Sequence, residues 1–139
     1  MAAAQGAVTF IAAIILGLPA TPNILLTLVF LIPVAFVYIS LGLLFGSILG
    51  SKAVGGICGA LLTNLSAWLS GVWFDLELVG GAFKTVANLL PFIHSVELLR
   101  GVLSGNFSDI LPHFLWVIGY AVLLFFLAVL LFFRQMKRQ

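Results

Sequence analysis

The sequence predicts an all-α integral membrane protein, and its composition and its long apolar runs carry that prediction. The 139-residue chain is 63% apolar and only 7% charged, with a mean hydropathy of +1.30. Soluble domains hold about a quarter charged residues, so this chain is expected to place most of its surface against lipid. Apolar runs recur at roughly the 20 residues that a helix needs to cross a bilayer. One small bundle, residues 1–139, is therefore the expected fold.

Four apolar runs are predicted to cross the membrane, and they are residues 2–18, 24–49, 53–74 and 113–133. The first run is short, and Pro19 and Pro22 end it because two prolines so close together cannot continue a helix. The second run contains Pro33, which a membrane span tolerates when neighbouring groups satisfy the freed backbone. Ser51 and Lys52 form the short turn before the third run.

The charges predict the orientation, because basic residues close to the end of a span mark its cytoplasmic side. Alternation from a cytoplasmic C-terminus places four of the six basic residues inside: Lys52, Arg134, Lys137 and Arg138. It places all four acids and the other two basic residues outside: Asp75, Glu77, Glu97, Asp109, Lys84 and Arg100. The prediction is a multi-pass protein of the cell membrane (inner or plasma membrane) with both ends in the cytoplasm.

Residues 79–103, between the last two runs, are predicted to form an external amphipathic hairpin of two short helices around Pro91. Each piece has about 12 residues, too few to cross alone, so the hairpin should lie in or dip into the outer interface. The apolar side of the second piece should consist of Phe92, Val96, Leu99 and Leu103. Its polar side carries His94, Glu97 and Arg100, and Glu97 can pair with either of the other two.

Small residues form rows on two of the predicted spans, where they let helices approach closely. These rows contain Gly42, Gly46 and Gly50 in the second run, and Gly55 and Gly59 in the third. The contact could lie within one subunit or between two, and both alternatives stay open.

The third run also carries a polar stripe, which consists of Thr63, Asn64, Ser66 and Ser70. Such side chains are disfavoured against lipid, so the stripe should face protein or a water-filled path. It could serve helix packing alone or line a path for a substrate.

No pattern in the sequence indicates catalysis, a metal site or nucleic-acid binding. The chain lacks the Gly-x-x-x-x-Gly-Lys-Ser/Thr loop that cradles nucleotide phosphates. Two histidines and the single Cys58 are too scattered for a ligand cluster, and six basic residues are too few for a nucleic-acid footprint. Ser70 has no nucleophile motif around it, and the histidines belong to the hairpin and the start of the last span.

The order of several motifs resembles the C-terminal part of type-2 ATP-binding-cassette (ABC-2-type) transporter permeases, a family of exporters. The segments that carry the resemblance are Gly-Leu-Leu-Phe-Gly-Ser-Ile-Leu-Gly-Ser (42–51), Leu-Ser-Gly-Val-Trp-Phe (69–74), Asp-Leu-Glu (75–77) and Leu-Pro-Phe-Ile-His-Ser-Val-Glu-Leu-Leu-Arg (90–100), before a last span with a basic tail. Each motif alone is weak, and their order and spacing are specific.

The resemblance implies a permease subunit of an exporter. In that family two permease copies pair, as a homodimer or heterodimer, and a separate ATP-binding-cassette ATPase subunit uses ATP, so this chain needs no cofactor. The third run corresponds to a span beside the path, which implies that Thr63, Asn64, Ser66 and Ser70 line the path or the dimer seam. The hairpin, with Pro91, His94, Glu97 and Arg100, would cap the outer mouth.

The family has six spans and the chain matches the last four, so the resemblance also implies a fragment or truncated form of a six-span permease. The alternative is a small autonomous four-span membrane protein with an assembly or regulatory role. A neighbouring ATPase gene, or upstream coding sequence for two more spans, would favour the permease.

Overall fold

The computed structural model describes residues 2–49 and 51–137 and confirms an all-α membrane protein. Its α-helices are α1 (Ala2–Ile15), α2 (Asn23–Ile48), α3 (Ser51–Gly56), α4 (Thr63–Leu69), α5 (Leu76–Val79), α6 (Gly81–Leu89), α7 (Pro91–Ser104) and α8 (Ile110–Met136). A π-helical turn, Ile57–Leu62, joins α3 to α4, and a 3-10 turn, Phe107–Asp109, leads into α8.

Two helices in the described part of the chain are long and apolar enough to cross a membrane. They are α2, with 26 residues, and the 30-residue stretch Phe107–Met136. α1 has 14 residues, which at about 1.5 Å each fall short of a core about 30 Å thick. The third run is helical from Ser51 to Leu69, and the π turn interrupts its α-helical pattern. Crossing by residues 2–18 and 53–74 therefore stays a prediction.

α2 and α8 lie parallel and form the centre of the bundle. Phe30 packs edge-on against Phe114 at a centroid distance of 5.6 Å, and further along both helices in the same direction Phe36 meets Phe125 at 5.4 Å. α7 completes this three-helix core, whose buried residues are Val34, Val37, Leu98, Val102, Ile110, Val117, Ala121 and Leu124. The parallel packing puts the beginnings of α2 and α8 at the same end of the bundle.

α7 runs antiparallel along the first half of α2. The Phe92 ring lies 6.0 Å from the Tyr38 ring, and the Asn23 side chain donates a hydrogen bond to the Leu103 carbonyl at 3.3 Å. α7 therefore starts beside the middle of α2 and ends beside its first residue.

The predicted apolar side of α7 is only partly buried. Phe92 is buried, whereas Val96, Leu99 and Leu103 are half-buried. The buried row is instead Pro91, Phe92, Ser95, Leu98 and Val102. The reason is that α7 packs against α2 and α8 together, so the side facing both helices is buried more deeply than the apolar side read from α7 alone.

Pro91 divides the hairpin as predicted, and the two helices meet at a bend of 74°. Pro91 occupies the first turn of α7, where its missing N–H costs nothing, and Leu90 before it is extended (φ −89°, ψ 156°). The bend lies beside Tyr120 of α8, whose hydroxyl bonds to the Leu89 carbonyl. Tyr120 is ten residues beyond Ile110, about 15 Å along the helix, so the hairpin enters the bundle rather than lying flat on its end.

The predicted glycine rows make no close contact within the described chain. A Cβ built on Gly42, Gly46, Gly55 or Gly59 meets no atom within 4 Å. Gly50 lies outside the described residues.

Close approach occurs instead at Gly6 and Gly101. A Cβ on Gly6 would stand 2.6 Å from a Leu31 methyl, and one on Gly101 would stand 3.2 Å from Ile110 Cγ1. Gly101 also accepts the Asn106 N–H at 3.0 Å, while Gly105 (φ +75°) donates to the Val102 carbonyl at 3.2 Å. This is a Schellman end for α7, in which the left-handed residue is a glycine because a Cβ would strain it.

We expect Gly101→Leu to destabilise the chain by about 1–3 kcal/mol, because the new side chain overpacks the contact between α7 and α8. Gly119→Leu on α8 is the matched control, since a Cβ there meets nothing within 4 Å. Both variants gain the same helix propensity, so the difference between their thermal unfolding midpoints in micelles isolates the crowding. Equal midpoints would contradict the close packing.

Candidate functional site

A polar cleft of about 520 Å³ opens where the end of α4 meets α5, α6 and α7. Its lining combines the end of the third run with the polar side of the hairpin: Ser70, Gly71, Val72, Trp73, Phe74, Asp75, Leu76, Glu77, Lys84, Asn88, Ile93, Glu97 and Arg100. The structure thus brings Ser70 together with Glu97 and Arg100, three of the residues singled out in the sequence.

Tight turns build the wall of the cleft. Gly71 (φ +68°) turns the chain away at the end of α4, and Gly80 and Gly81, both with positive φ, turn it again before α6. Asp75 caps the short α5, because its Oδ1 accepts the Glu77 N–H at 2.9 Å. Beneath the wall, an apolar cluster fixes these elements to α7 and consists of Leu69, Leu76, Ala87 and Phe92.

Four charged side chains of the cleft form two ion pairs and remain partly exposed. Lys84 Nζ lies 2.8 Å from Glu77 Oε1, and Arg100 lies 3.1 Å from Glu97 Oε1. The second pair confirms one of the two pairings expected for Glu97. Ion pairs this exposed contribute only about 0–1 kcal/mol, so the same side chains can exchange partners with a polar ligand at little cost.

The structure divides the predicted polar stripe of the third run. Ser66 and Ser70 are buried, whereas Thr63 and Asn64 are exposed. All four bond to carbonyls of their own helical segment, as in Ser70 to Ala67 at 3.0 Å. Of the four, only Ser70 lines the cleft.

His94 points away from the cleft, towards α8. Its Nδ1 lies 2.8 Å from Nδ1 of His113, and its Nε2 lies 2.8 Å from the Asn88 carbonyl. Its ring stacks on Trp116 at a centroid distance of 5.0 Å and an interplanar angle of 9°. His94, which belongs to α7, therefore contacts both α6 and α8.

His94 and Tyr120 supply donors to the carbonyls that the break at Pro91 leaves without helical partners. The Asn88 and Leu89 carbonyls would accept N–H groups one turn later in a continuous helix. Instead Asn88 accepts from His94 Nε2, and Leu89 accepts from the Tyr120 hydroxyl at 2.6 Å. Unsatisfied carbonyls are costly away from water, so these side chains allow the bend to sit beside the middle of α8, away from its end.

Reading the sequence did not identify His113, Trp116 and Tyr120 as partners of the hairpin. Their spacing of three and four residues places them on one side of a helix. That spacing is a signal that could have found them, although it does not say which element they contact.

The cleft is suited to binding, since it offers charged pairs beside the aromatic side chains of Trp73 and Phe74. The Ser70 hydroxyl donates to a backbone carbonyl instead of to a base. Among residues 2–49 and 51–137 there is no group of three or more His, Cys, Asp or Glu side chains placed to hold a metal ion.

Parallel apolar helices and an inserted hairpin define a multi-pass membrane protein, and comparison with known sequences gives its family. The profile described as "ABC-2 family transporter protein" matches residues 1–130. The chain belongs to this family, as its motifs indicated. The name of this family describes transporter proteins.

The chain is also similar to a named relative. It is 33% identical over 72 residues to nodulation protein J of Rhizobium leguminosarum bv. trifolii. The match covers 51% of this chain and 28% of the relative, so the chain corresponds to a minor part of that protein's length. No solved structure shows significant similarity to the chain.

We expect Tyr120→Phe to loosen the bend by about 1–2 kcal/mol, because the Leu89 carbonyl loses its donor. Amide hydrogen exchange across residues 88–96 in nanodiscs should become about tenfold faster. Thr85→Val is the control, since it removes a hydroxyl on α6 that bonds only to its own helix, at the Gly81 carbonyl. Unchanged exchange in Tyr120→Phe would show that its hydroxyl does not hold the bend.

Proposed function

We propose that the chain forms part of the substrate path of an ATP-binding-cassette exporter, together with the outer cap of that path. The observation that carries this proposal is the polar cleft, which joins Ser70 of the third run to Glu97 and Arg100 of the hairpin. A separate ATPase subunit supplies the energy by hydrolysing ATP. The hairpin then acts as a movable wall, since α7 carries two of the charged side chains of the cleft.

The exposed side of the third run is proposed to meet a second permease copy. Gly55, Gly59, Thr63 and Asn64 are exposed, and a Cβ on either glycine meets no atom within 4 Å. Small residues at such a surface permit a close helix contact, and the Thr63 and Asn64 side chains can then bond across it. The path would run beside this seam, in a homodimer or a heterodimer.

The parallel packing of α2 and α8 supports a return crossing by the third run. Two parallel spans need an odd number of crossings between them. The proposal assigns this crossing to the third run and takes α6 and α7, which meet at 74°, as a re-entrant loop and not as a broken span. On this basis the chain has four spans in the cell membrane, with Lys52 and Arg134 at the cytoplasmic end and the hairpin at the outer end. Family membership favours this permease over an autonomous assembly or regulatory protein.

We expect the cleft to react with an extracellular reagent at a rate that depends on ATP turnover. The test uses Val72→Cys, an exposed cleft position, in a Cys58→Ser background of the full-length transporter with its ATPase subunit. A membrane-impermeant maleimide should label this cysteine in intact cells. In inside-out vesicles with the reagent trapped in the lumen, adding ATP should change the labelling rate several-fold.

Met136→Cys, exposed at the far end of α8, is the matched control for orientation. It should stay unlabelled until the cells are permeabilised. Labelling of Met136→Cys in intact cells would contradict the orientation. If the labelling rate of Val72→Cys did not change with ATP, the result would contradict a cap that moves.

A further inference from the structure

We propose that His94 and His113 form a pH-sensitive clasp, which holds the hairpin to α8 at neutral pH and opens when both rings are protonated. The clasp is a property of this chain alone and stands whether or not the chain carries a substrate. It rests on the two short contacts of His94, to His113 and to the Asn88 carbonyl.

The two contacts of His94 determine which ring nitrogens carry protons. A carbonyl can only accept, so the proton between His94 and Asn88 belongs to His94 Nε2. In a neutral His94 ring, Nδ1 is then an acceptor. The 2.8 Å contact between the two Nδ1 atoms therefore requires that His113 carry its proton on Nδ1.

One added proton leaves the clasp intact, and a second breaks it. A first proton can bind to His113 Nε2, and the Nδ1–H···Nδ1 hydrogen bond persists. A second proton must occupy the remaining Nδ1, so two N–H groups face each other at 2.8 Å between two positive rings whose centroids are 5.1 Å apart. Repulsion replaces the hydrogen bond.

The charged and titratable groups around the clasp come from each element packed on it: Lys84 on α6, Glu97 and Arg100 on α7, Asp109 before α8, and Tyr120 on α8. Glu97 and Asp109 attract the added protons and Arg100 opposes them, while Lys84 is already paired with Glu77. The Trp116 face also favours a positive His94 ring. Because the first positive ring repels a second proton, the clasp opens only at a pH below that of the first protonation.

Opening the clasp should move the wall of the cleft. Its loss leaves the Tyr120 bond to the Leu89 carbonyl, which holds the bend itself. The part that loosens is the turn of α7 around His94, which leads to Glu97, because Leu98 and Val102 stay buried in the three-helix core. Acid would thus move this turn away from His113 while the bend and the rest of α7 stay attached.

The chain contains only two histidines, so every side-chain signal from ¹⁵N-labelled histidine comes from the clasp. The experiment records the ¹⁵N–¹⁵N coupling across the N–H···N bond by NMR, with the 139-residue chain in lipid nanodiscs. The titration runs from about pH 8 to about pH 4.5, which brackets the ordinary histidine range. We expect the coupling to be present at neutral pH, to survive the first protonation and to vanish at the second.

His113→Asn is the matched variant, because an asparagine amide places a nitrogen or oxygen close to the position of Nδ1. By rotating, the amide can donate to neutral His94 or accept from its protonated form. Hydrogen exchange of residues 94–97, corrected for intrinsic rates, should therefore rise with acid in the wild type and stay level in the variant.

Absence of the coupling at every pH would overturn the proposal, as would a coupling that persists when both rings are charged. A wild-type acid response that the His113→Asn variant retains would also overturn it. The NMR titration needs only the wild-type chain, so it decides the matter even if the variant fails to fold.

Discussion

The structure depends on the hydrogen bonds to the backbone carbonyls that the helix break at Pro91 leaves without helical partners. A helix break beside the middle of an apolar helix exposes carbonyls that lipid cannot solvate. Here His94 and Tyr120 donate to the Asn88 and Leu89 carbonyls, so the bend can sit about 15 Å along α8. Because the bend is held there, α7 can run back between α2 and α8 and supply Leu98 and other residues to the core.

The cleft is a consequence of the same arrangement. The inserted hairpin presents Glu97 and Arg100 towards the end of the third run, where Ser70 closes the opposite side. A hairpin lying flat on the end of the bundle would leave this polar surface open. The chain belongs to the ABC-2 transporter family, and under the proposed function this cleft forms part of the substrate path.

Local spacing was enough to predict α2, α8, the break at Pro91 and the pairing of Glu97 with Arg100. It was not enough where the outcome depends on which helices meet. The polar stripe divides because Ser70 turns towards the hairpin while Asn64 stays exposed, and no pattern within the third run distinguishes them. Close packing falls at Gly101 and not in the predicted glycine rows, because the tight turn into α8 brings Ile110 against it. The partnership of His94 with His113 likewise arises only when that turn is made.

The most direct measurement of the central claim is the depth of the bend in the membrane. Spin labels at Leu89→Cys and Phe107→Cys, both exposed positions, can be compared by their accessibility to oxygen and to a water-soluble nickel complex in nanodiscs, in a Cys58→Ser background. An inserted hairpin predicts that the label at Leu89 lies at least about 15 Å further along α8, and correspondingly deeper, than the label at Phe107. Equal depths at the interface would contradict the account.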